Sequence, residues 1–449
     1  MLIIKYISLY LLIKSARSFH STGADLSRCC ADQLSFHQFG QSEAGLGMNE
    51  NMQERLNMKN PQYITSIDKI QEIPGSEKLD LSEVTKKFAF RTNEYYVSLI
   101  NWEDPDDPIR KIIIPDSREL DEWGDLDASS EKTYTVAPGV QHKYPQTALV
   151  LAVDVCGGFC RFCFRKRLFM NQQDEIARDL TEGIAYIRDH PEITNVLLTG
   201  GDPLILATGK LESIIQRIRE IDHVQIIRIG SKMLAFNPFR VLNDPALPAM
   251  IRKYSTPQKR IYLMAHFNHP NELTPQAVRA LEILRDAGAI IVNQTPLLRG
   301  INDNPETLAD LFKKLSFIGV PPYYVFQCRP TLGNRLFEMP VEEAYEIFET
   351  AKMSCSGLAK RARFVMSHAT GKIEVVGKTQ QAMYFKYHQA ANPSDTGRFM
   401  VFERNPEAYW FDDYKNKIED YSISSDEDEN IPFYPTRSSS RQDDPQIAG

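Results

Sequence analysis

Three cysteines stand close together, Cys156, Cys160 and Cys163, spaced C-x3-C-x2-C directly after an apolar run at residues 149–155. Three thiols this close cannot form a pairwise disulfide set. As thiolates they can hold three irons of a cubane iron–sulfur cluster and leave the fourth iron open. An open iron can bind and reduce a substrate, whereas a cluster with four cysteine ligands mainly carries electrons. Free cysteine is often buried as a small apolar residue, so packing beside a strand is the plain alternative. Three at this spacing, with Phe159 and Phe162 each preceding a cysteine, rarely arise from packing.

The elements around these cysteines are legible as alternation. Six apolar, strand-like runs lie at residues 148–153, 195–198, 225–229, 261–265, 290–293 and 323–327. Segments with helical periodicity separate them, as at 211–221 and 275–287. Strand–helix alternation predicts parallel β-α units. Six units are too few for a closed eight-stranded barrel, so the expected fold is α/β, a partial six-unit β/α barrel within residues 136–380. A helical region at 61–135 precedes it, with a turn signal at 104–108 (DPDDP). An extension at 381–403 and an acidic tail at 404–449 follow. In such barrels function gathers at strand C-termini. Cys156 follows the first run, Gly200, Gly201 and Asp202 the second, and residues 228–231 end the third. His266 follows the fourth, Gln294 the fifth and Arg329 the sixth.

The cysteine spacing resembles the radical S-adenosylmethionine (radical SAM) superfamily, whose members cleave that cofactor to a 5'-deoxyadenosyl radical. Further segments narrow the resemblance. They are 138–145 (PGVQHKYP), 160–167 (CRFCFRKR), 197–203 (LLTGGDP), 228–231 (RIGS), 265–272 (AHFNHPNE), 293–302 (NQTPLLRGIN) and 322–328 (PYYVFQC). Taken in order, over roughly residues 90–375, they resemble lysine 2,3-aminomutase and its relatives. A lone GGDP would be weak; the ordered set is specific. The resemblance implies an isomerase that moves an amino group between the α and β carbons of an amino acid. It implies a [4Fe-4S] cluster on Cys156, Cys160 and Cys163, and S-adenosylmethionine near Gly200, Gly201, Asp202, His266 and Gln294. It also implies an electron donor such as a flavodoxin or ferredoxin.

A second cofactor, pyridoxal 5'-phosphate (PLP), follows from the same resemblance. A 1,2-shift of nitrogen must accommodate an unpaired electron, and PLP can delocalise it over its ring. Such enzymes hold PLP on a lysine amine. In residues 364–377 (FVMSHATGKIEVVG) that lysine is Lys372, whose plain alternative is an exposed loop lysine. Of the family's two arginines and a tyrosine directed toward PLP, Tyr144 is retained, Lys143 replaces the first arginine, and Thr147 replaces the second. The glycine run before the lysine is shortened to residues 369–371 (ATG).

Arg165 matches the family's substrate-carboxylate arginine, and a guanidinium fork suits a carboxylate. The alternative is that it belongs to a basic run, with Arg161, Lys166 and Arg167, that only balances an anionic cluster. Lysine-specific relatives place two aspartates around the distal ammonium. Here those positions hold Arg329 and Ser367. A lysine ammonium buried beside Arg329 would be disfavoured by several kcal/mol, on the order expected for like charges in a desolvated pocket. An acidic or polar amino acid is therefore expected. Pro330 offers the alternative of an Arg329 turned outward. Two other readings are a PLP-independent radical SAM enzyme and a relative that modifies a lysine within a protein. A non-catalytic cluster protein is a third.

Composition bounds the rest. The chain has 449 residues and 42% hydrophobic content, enough for a large catalytic domain. The net charge of -7 is uneven: residues 404–449 hold 11 acidic and 5 basic side chains, a net of -6. That tail reads as disordered, and the near-neutral remainder offers no field for nucleic acid. The seven cysteines, including Cys29, Cys30, Cys328 and Cys355, are odd in number and unevenly spaced, as in a reducing compartment. The apolar stretch at 2–13 is too short and interrupted to span a membrane. With Lys5, Lys14 and Arg17 and no acid in residues 1–24, the leader reads as a transit peptide, a secretory signal, or sequence upstream of a true start at Met48 or Met52. Cytoplasm and mitochondrial matrix both fit, and a homo-oligomer is allowed. Residues 1–60 are expected to be targeting or disordered sequence.

Overall fold

The computed structural model describes residues 60–170 and 175–422. The leader, Cys29, Cys30, and the acidic and serine-rich stretches at 426–429 and 438–440 lie outside the described residues. Two short strands, β1 (Tyr63–Ile64) and β2 (Thr92–Asn93), pair antiparallel. Between them lies a helix, Gly75–Lys87. A further helix, Pro108–Ile113, begins at the DPDDP signal: Asp107 accepts from Arg110 N at 2.7 Å and Pro108 takes the first helical turn. Its Ile109, Ile112 and Ile113 are buried against Phe162 and Phe236, which props the cysteine loop from outside the sheet.

Among the described residues the remaining strands form one sheet of 13, ordered as in the sequence. Strands β3 (Thr135–Ala137) and β4 (Val140–Tyr144) lead antiparallel into β5 (Thr147–Val153). Each apolar run then becomes a parallel strand: β6 (Asn195–Gly200), β7 (Ile226–Ser231), β8 (Arg260–Ala265), β9 (Ile290–Leu297) and β10 (Pro322–Gln327). A seventh parallel strand, β11 (Arg363–His368), joins β10. Among the described residues one long helix lies in each of the six connections: Thr181–Asp189, Thr208–Arg219, Ala246–Tyr254, Pro275–Asp286, Pro305–Phe317 and Val341–Met353. The result is an α/β fold with a large sheet, parallel through its middle.

Register decides which residues meet the helices. Val150, Leu198, Ile229, Leu263 and Ile291 stand side by side across β5–β9, and all are buried beneath Leu211, Ile215, Leu281 and Leu284 of the helices. Side chains alternate faces along a strand. The adjacent row, including Leu149, Leu197 and Arg228, therefore faces away from the helices, into a cavity.

The C-terminal region corrects the expectation of a disordered tail from residue 404. Strands β12 (Gly371–Lys378), β13 (Ala382–Ala390), β14 (Phe399–Glu403) and β15 (Lys417–Tyr421) extend the sheet antiparallel. Ala408, Trp410 and Tyr414 are buried in the same core as Ile373 and Phe385. Counting charge over the whole segment averaged these apolar anchors with the acid-rich stretch beyond them. Among the described residues no helix is long and apolar enough to cross a membrane.

Candidate active site

A cavity of about 330 Å³ opens on the side of the parallel strands away from the helices. It gathers every residue singled out from the sequence as a ligand or contact: Lys143, Tyr144, the three cysteines, Arg165, Gly200, Gly201, Asp202, His266, Gln294, Arg329, Ser367 and Lys372. Residues up to 229 apart in the chain thus share one chamber, from Lys143 to Lys372.

The cysteine end is built by close backbone approach. Gly200 has φ +103°, and a Cβ there would lie 2.6 Å from Val153 O. A Cβ on Gly201 would lie 2.3 Å from Val155 O. Only glycines let the end of β6 press against the start of the cysteine loop. Asp202 N then donates to Val155 O at 2.9 Å. The Asp202 carboxylate accepts from Ser231 Oγ at 3.0 Å, Lys232 N at 2.8 Å and Leu204 N at 3.0 Å, tying β6 to β7. Burial pushes its carboxyl up to about 6 despite those donors. His266 is held neutral, first by burial and then by Lys232. Its Nε2 lies 3.2 Å from Asn268 Nδ2.

Cys156, Cys160 and Cys163 are free thiols on the wall of this end. Burial, the largest influence, raises all three thiol pKa values; Lys232 opposes it at Cys160, and Arg165, Lys166 and Arg167 at Cys163. Among the described residues no three acidic, histidine or cysteine side chains are placed to hold a single metal ion. A cubane asks for something else, one thiolate per iron, and three thiols around a shared chamber, with cations behind them, fit that demand.

The basic run after the cysteines divides. Arg161 donates to both Glu119 oxygens at 2.8 Å, and Lys166 reaches Glu119 Oε2 at 3.3 Å and Gly333 O at 3.0 Å. Arg167 is tied to Glu175 at 3.0 Å. These three are committed to structure. Arg165 faces the cavity, but its fork is engaged by Glu131: Nε donates to Oε2 at 3.0 Å and Nη2 to Oε1 at 2.9 Å. Its Nη1 donates to Thr199 Oγ1 at 2.8 Å. Glu131 carried no signal in the sequence. Burial would raise its pKa, yet Arg165, Arg329 and Arg167 hold it well below the usual carboxylate range.

Arg329 turns inward, against the alternative that Pro330 redirects it. Its guanidinium lies 3.7 Å from the Phe164 ring centroid and 3.8 Å from Glu131 Oε1. Among the described residues its Nη1 is buried without a hydrogen-bond partner. Burial lowers its pKa to about 10, so it remains charged at neutral pH.

Lys372, the second residue of β12, pairs directly across the hairpin with Ser367 of β11. Its Nζ lies 4.7 Å from the Tyr144 ring centroid and 5.9 Å from that of Tyr324. Burial, then Arg228, Lys143 and Arg329, lower its pKa to about 7. Lys143 donates to His368 O, and burial, then Arg329, lowers it to about 8. This end suits PLP: a half-buried amine that loses its proton near pH 7, an aromatic ring beside it, and a surplus of cations for a phosphate. Lys372 is thus no exposed loop lysine.

Comparison with known proteins gives a consistent set. The Radical SAM superfamily model matches residues 150–312. A protein of Aquifex aeolicus (strain VF5), named putative L-lysine 2,3-aminomutase, is 59% identical over 367 residues, covering 82% of this chain and 98% of its own. The L-lysine 2,3-aminomutase of Clostridium subterminale is 40% identical over 284 residues, 63% of this chain and 67% of its own. The glutamate 2,3-aminomutase of Clostridioides difficile (strain 630) is 35% identical over 298 residues, 66% of this chain and 69% of its own.

Proposed function

The chain belongs to the lysine 2,3-aminomutase-like family of radical SAM enzymes, and from that premise we propose a division of its cavity and a substrate. The enzyme is a 2,3-aminomutase-like isomerase that uses a [4Fe-4S] cluster, S-adenosylmethionine and PLP. Together these cofactors supply a radical for hydrogen abstraction and a π-system that spreads the unpaired electron during the nitrogen shift.

We assign Cys156, Cys160 and Cys163 to the cluster, and Gly200, Gly201, Asp202, His266 and Gln294 to the S-adenosylmethionine end. Lys372 holds PLP, with Tyr144 and Lys143 beside it. Arg165 receives the substrate's α-carboxylate after Glu131 yields its place, and Arg329 and Ser367 face the distal group. The six β-α units, read as a partial barrel, put these residues at strand ends around one chamber. An intracellular reducing compartment and a small redox protein as electron donor complete the reading.

The substrate is proposed to be an acidic amino acid. The observation that carries this is Arg329, charged, stacked on Phe164, with a buried Nη1 that stands 3.8 Å from Glu131 Oε1 but has no hydrogen-bond partner among the described residues. Lys143, Arg165, Arg228, Arg329 and Lys372 line the cavity, while Glu131 is shared among three arginines. An unpaired buried donor costs about 1–3 kcal/mol, which a distal carboxylate would recover. A distal ammonium would add repulsion. The two alternatives, a PLP-independent enzyme and a protein-lysine modifier, draw no support from this lysine and arginine arrangement. Anaerobic reconstitution with iron, sulfide, PLP and S-adenosylmethionine, followed by product analysis for β-isomers, tests the reading. Glutamate should be isomerised faster than lysine; the reverse order overturns the substrate assignment and leaves the isomerase standing.

A further inference from the structure

One cavity cation has no assigned task. Arg228, the third residue of β7, projects from the same strand face as Gly230 into the chamber. Its Nε donates to Asn195 Oδ1 at 2.9 Å. Among the described residues it has no carboxylate in ion-pair range, unlike Arg165, Arg167 and Arg329, which share Glu131. A guanidinium in such a place is poorly compensated unless a ligand brings the anion.

Its anchor fixes where it stands. Thr147, the first residue of β5, is in register with Asn195, the first of β6. Asn195 in turn holds Arg228 from β7. The guanidinium is therefore tied to the residue beside Thr147, the position where the family pattern carries a second arginine toward PLP. Thr147 also lines the chamber, but it offers only a hydroxyl. Tyr144, Tyr324 and Lys372 line the same chamber. Arg228 acts on the ionisation of Lys372 more strongly than Lys143 or Arg329 does.

We propose that Arg228 is the phosphate-binding guanidinium of the PLP site, making from β7 the bidentate contact that Thr147 cannot make from β5. The proposal rests on the assignment of Lys372 as the PLP lysine. A guanidinium fork matches phosphate oxygens two at a time. Asn195 pre-orients the fork by holding Nε, which leaves both Nη groups for the ligand. Lys143 adds a second positive charge.

Cluster-loaded protein, titrated anaerobically with PLP and separately with pyridoxal, tests this. Absorbance follows uptake, and borohydride trapping with peptide mapping reports the lysine. The wild-type protein should prefer PLP over pyridoxal, which lacks the phosphate. Arg228→Gln should weaken PLP by about tenfold to a hundredfold, the scale of a charge-assisted contact, and leave pyridoxal unchanged. Arg228→Lys should keep part of the preference. Adding Thr147→Arg to Arg228→Gln should restore much of it. An Arg228→Gln protein with the wild-type preference overturns the proposal. So does one that loses both ligands equally, because the role would then be structural. If wild-type protein traps neither ligand on Lys372, the assignment beneath the proposal fails instead.

Discussion

The Nζ of Lys372 lies 4.7 Å from the ring centroid of Tyr144, although 228 positions separate them in sequence. Tyr144 ends β4 and Lys372 is the second residue of β12, on opposite flanks of the parallel strands. The sheet must curve enough to bring both flanks to one chamber. Burial there strips the amine of solvent, and three neighbouring cations disfavour its proton.

That environment makes a prediction about pH. The amine is the reactive form, so covalent uptake of PLP at Lys372 should rise through pH about 7. Lys372→Ala should abolish borohydride trapping. The depressed pKa also means that the unfolded chain binds the extra proton between about pH 7 and the ordinary lysine value near 10.4. Stability of the PLP-free protein should therefore climb with pH over that window, and Lys372→Met should make the climb shallower, leaving the part that Lys143 and Lys166 contribute above about pH 8. Trapping at another lysine would refute the assignment.

The three cysteines should be individually indispensable. Alanine at Cys156, Cys160 or Cys163 should lower iron content and eliminate reductive cleavage of S-adenosylmethionine. Cys355→Ala, in the core away from the chamber, should leave both intact. Full iron and cleavage activity in any one of the three variants would remove the cluster assignment.

Selectivity should follow charge. Arg329→Asp combined with Ser367→Asp should move the ratio of kcat/KM for lysine over glutamate upward by at least about tenfold, equivalent to about 1.4 kcal/mol. Steady-state assays on both substrates measure it. An unchanged ratio would mean that the distal group lies elsewhere in the chamber.

Glu131→Gln separates positioning from binding. Glu131 is ionised and shared by Arg165, Arg167 and Arg329. Removing its charge should lower stability by about 1–3 kcal/mol at neutral pH. Its folded pKa is depressed, so its contribution is present above the unfolded carboxylate value and is lost as pH falls below about 4. The variant should accordingly show a shallower acid-denaturation limb. It should also lower KM for a dicarboxylate, because no internal carboxylate must leave Arg165. An unchanged acid limb together with an unchanged KM would deny Glu131 both roles.

Glycine tests the packing at the cysteine end. Gly201→Ala should destabilise the protein and impair cluster retention, since its Cβ would lie 2.3 Å from Val155 O. Gly209→Ala meets nothing within 4 Å and should change stability by no more than about 1 kcal/mol, toward greater stability in a helix. Equal thermal midpoints for the two variants would contradict the close approach.

Local chemistry was readable along the chain because it is local. The C-x3-C-x2-C spacing confines three thiols to one loop, and the six apolar runs and the helices between them carry their own periodicity. Even so, β11 was hidden inside the segment read for its lysine, and Trp410 and Tyr414 were hidden by the acids around them. What the sequence could not determine was which distant groups share a charge. Glu131 sits in a polar stretch with no motif. It reaches Arg165 because Ser129 donates to Ser367 O and Tyr134 donates to Ala369 O, both at 2.7 Å, pinning that stretch to the β11–β12 hairpin. Arg228 stood inside a recognised motif, yet its lack of a counter-ion among the described residues appears only when the surrounding strands are in register. Spacing can specify a ligand set. Electrostatic balance in a buried chamber depends on contacts between segments far apart in the chain, and only the tertiary fold decides those.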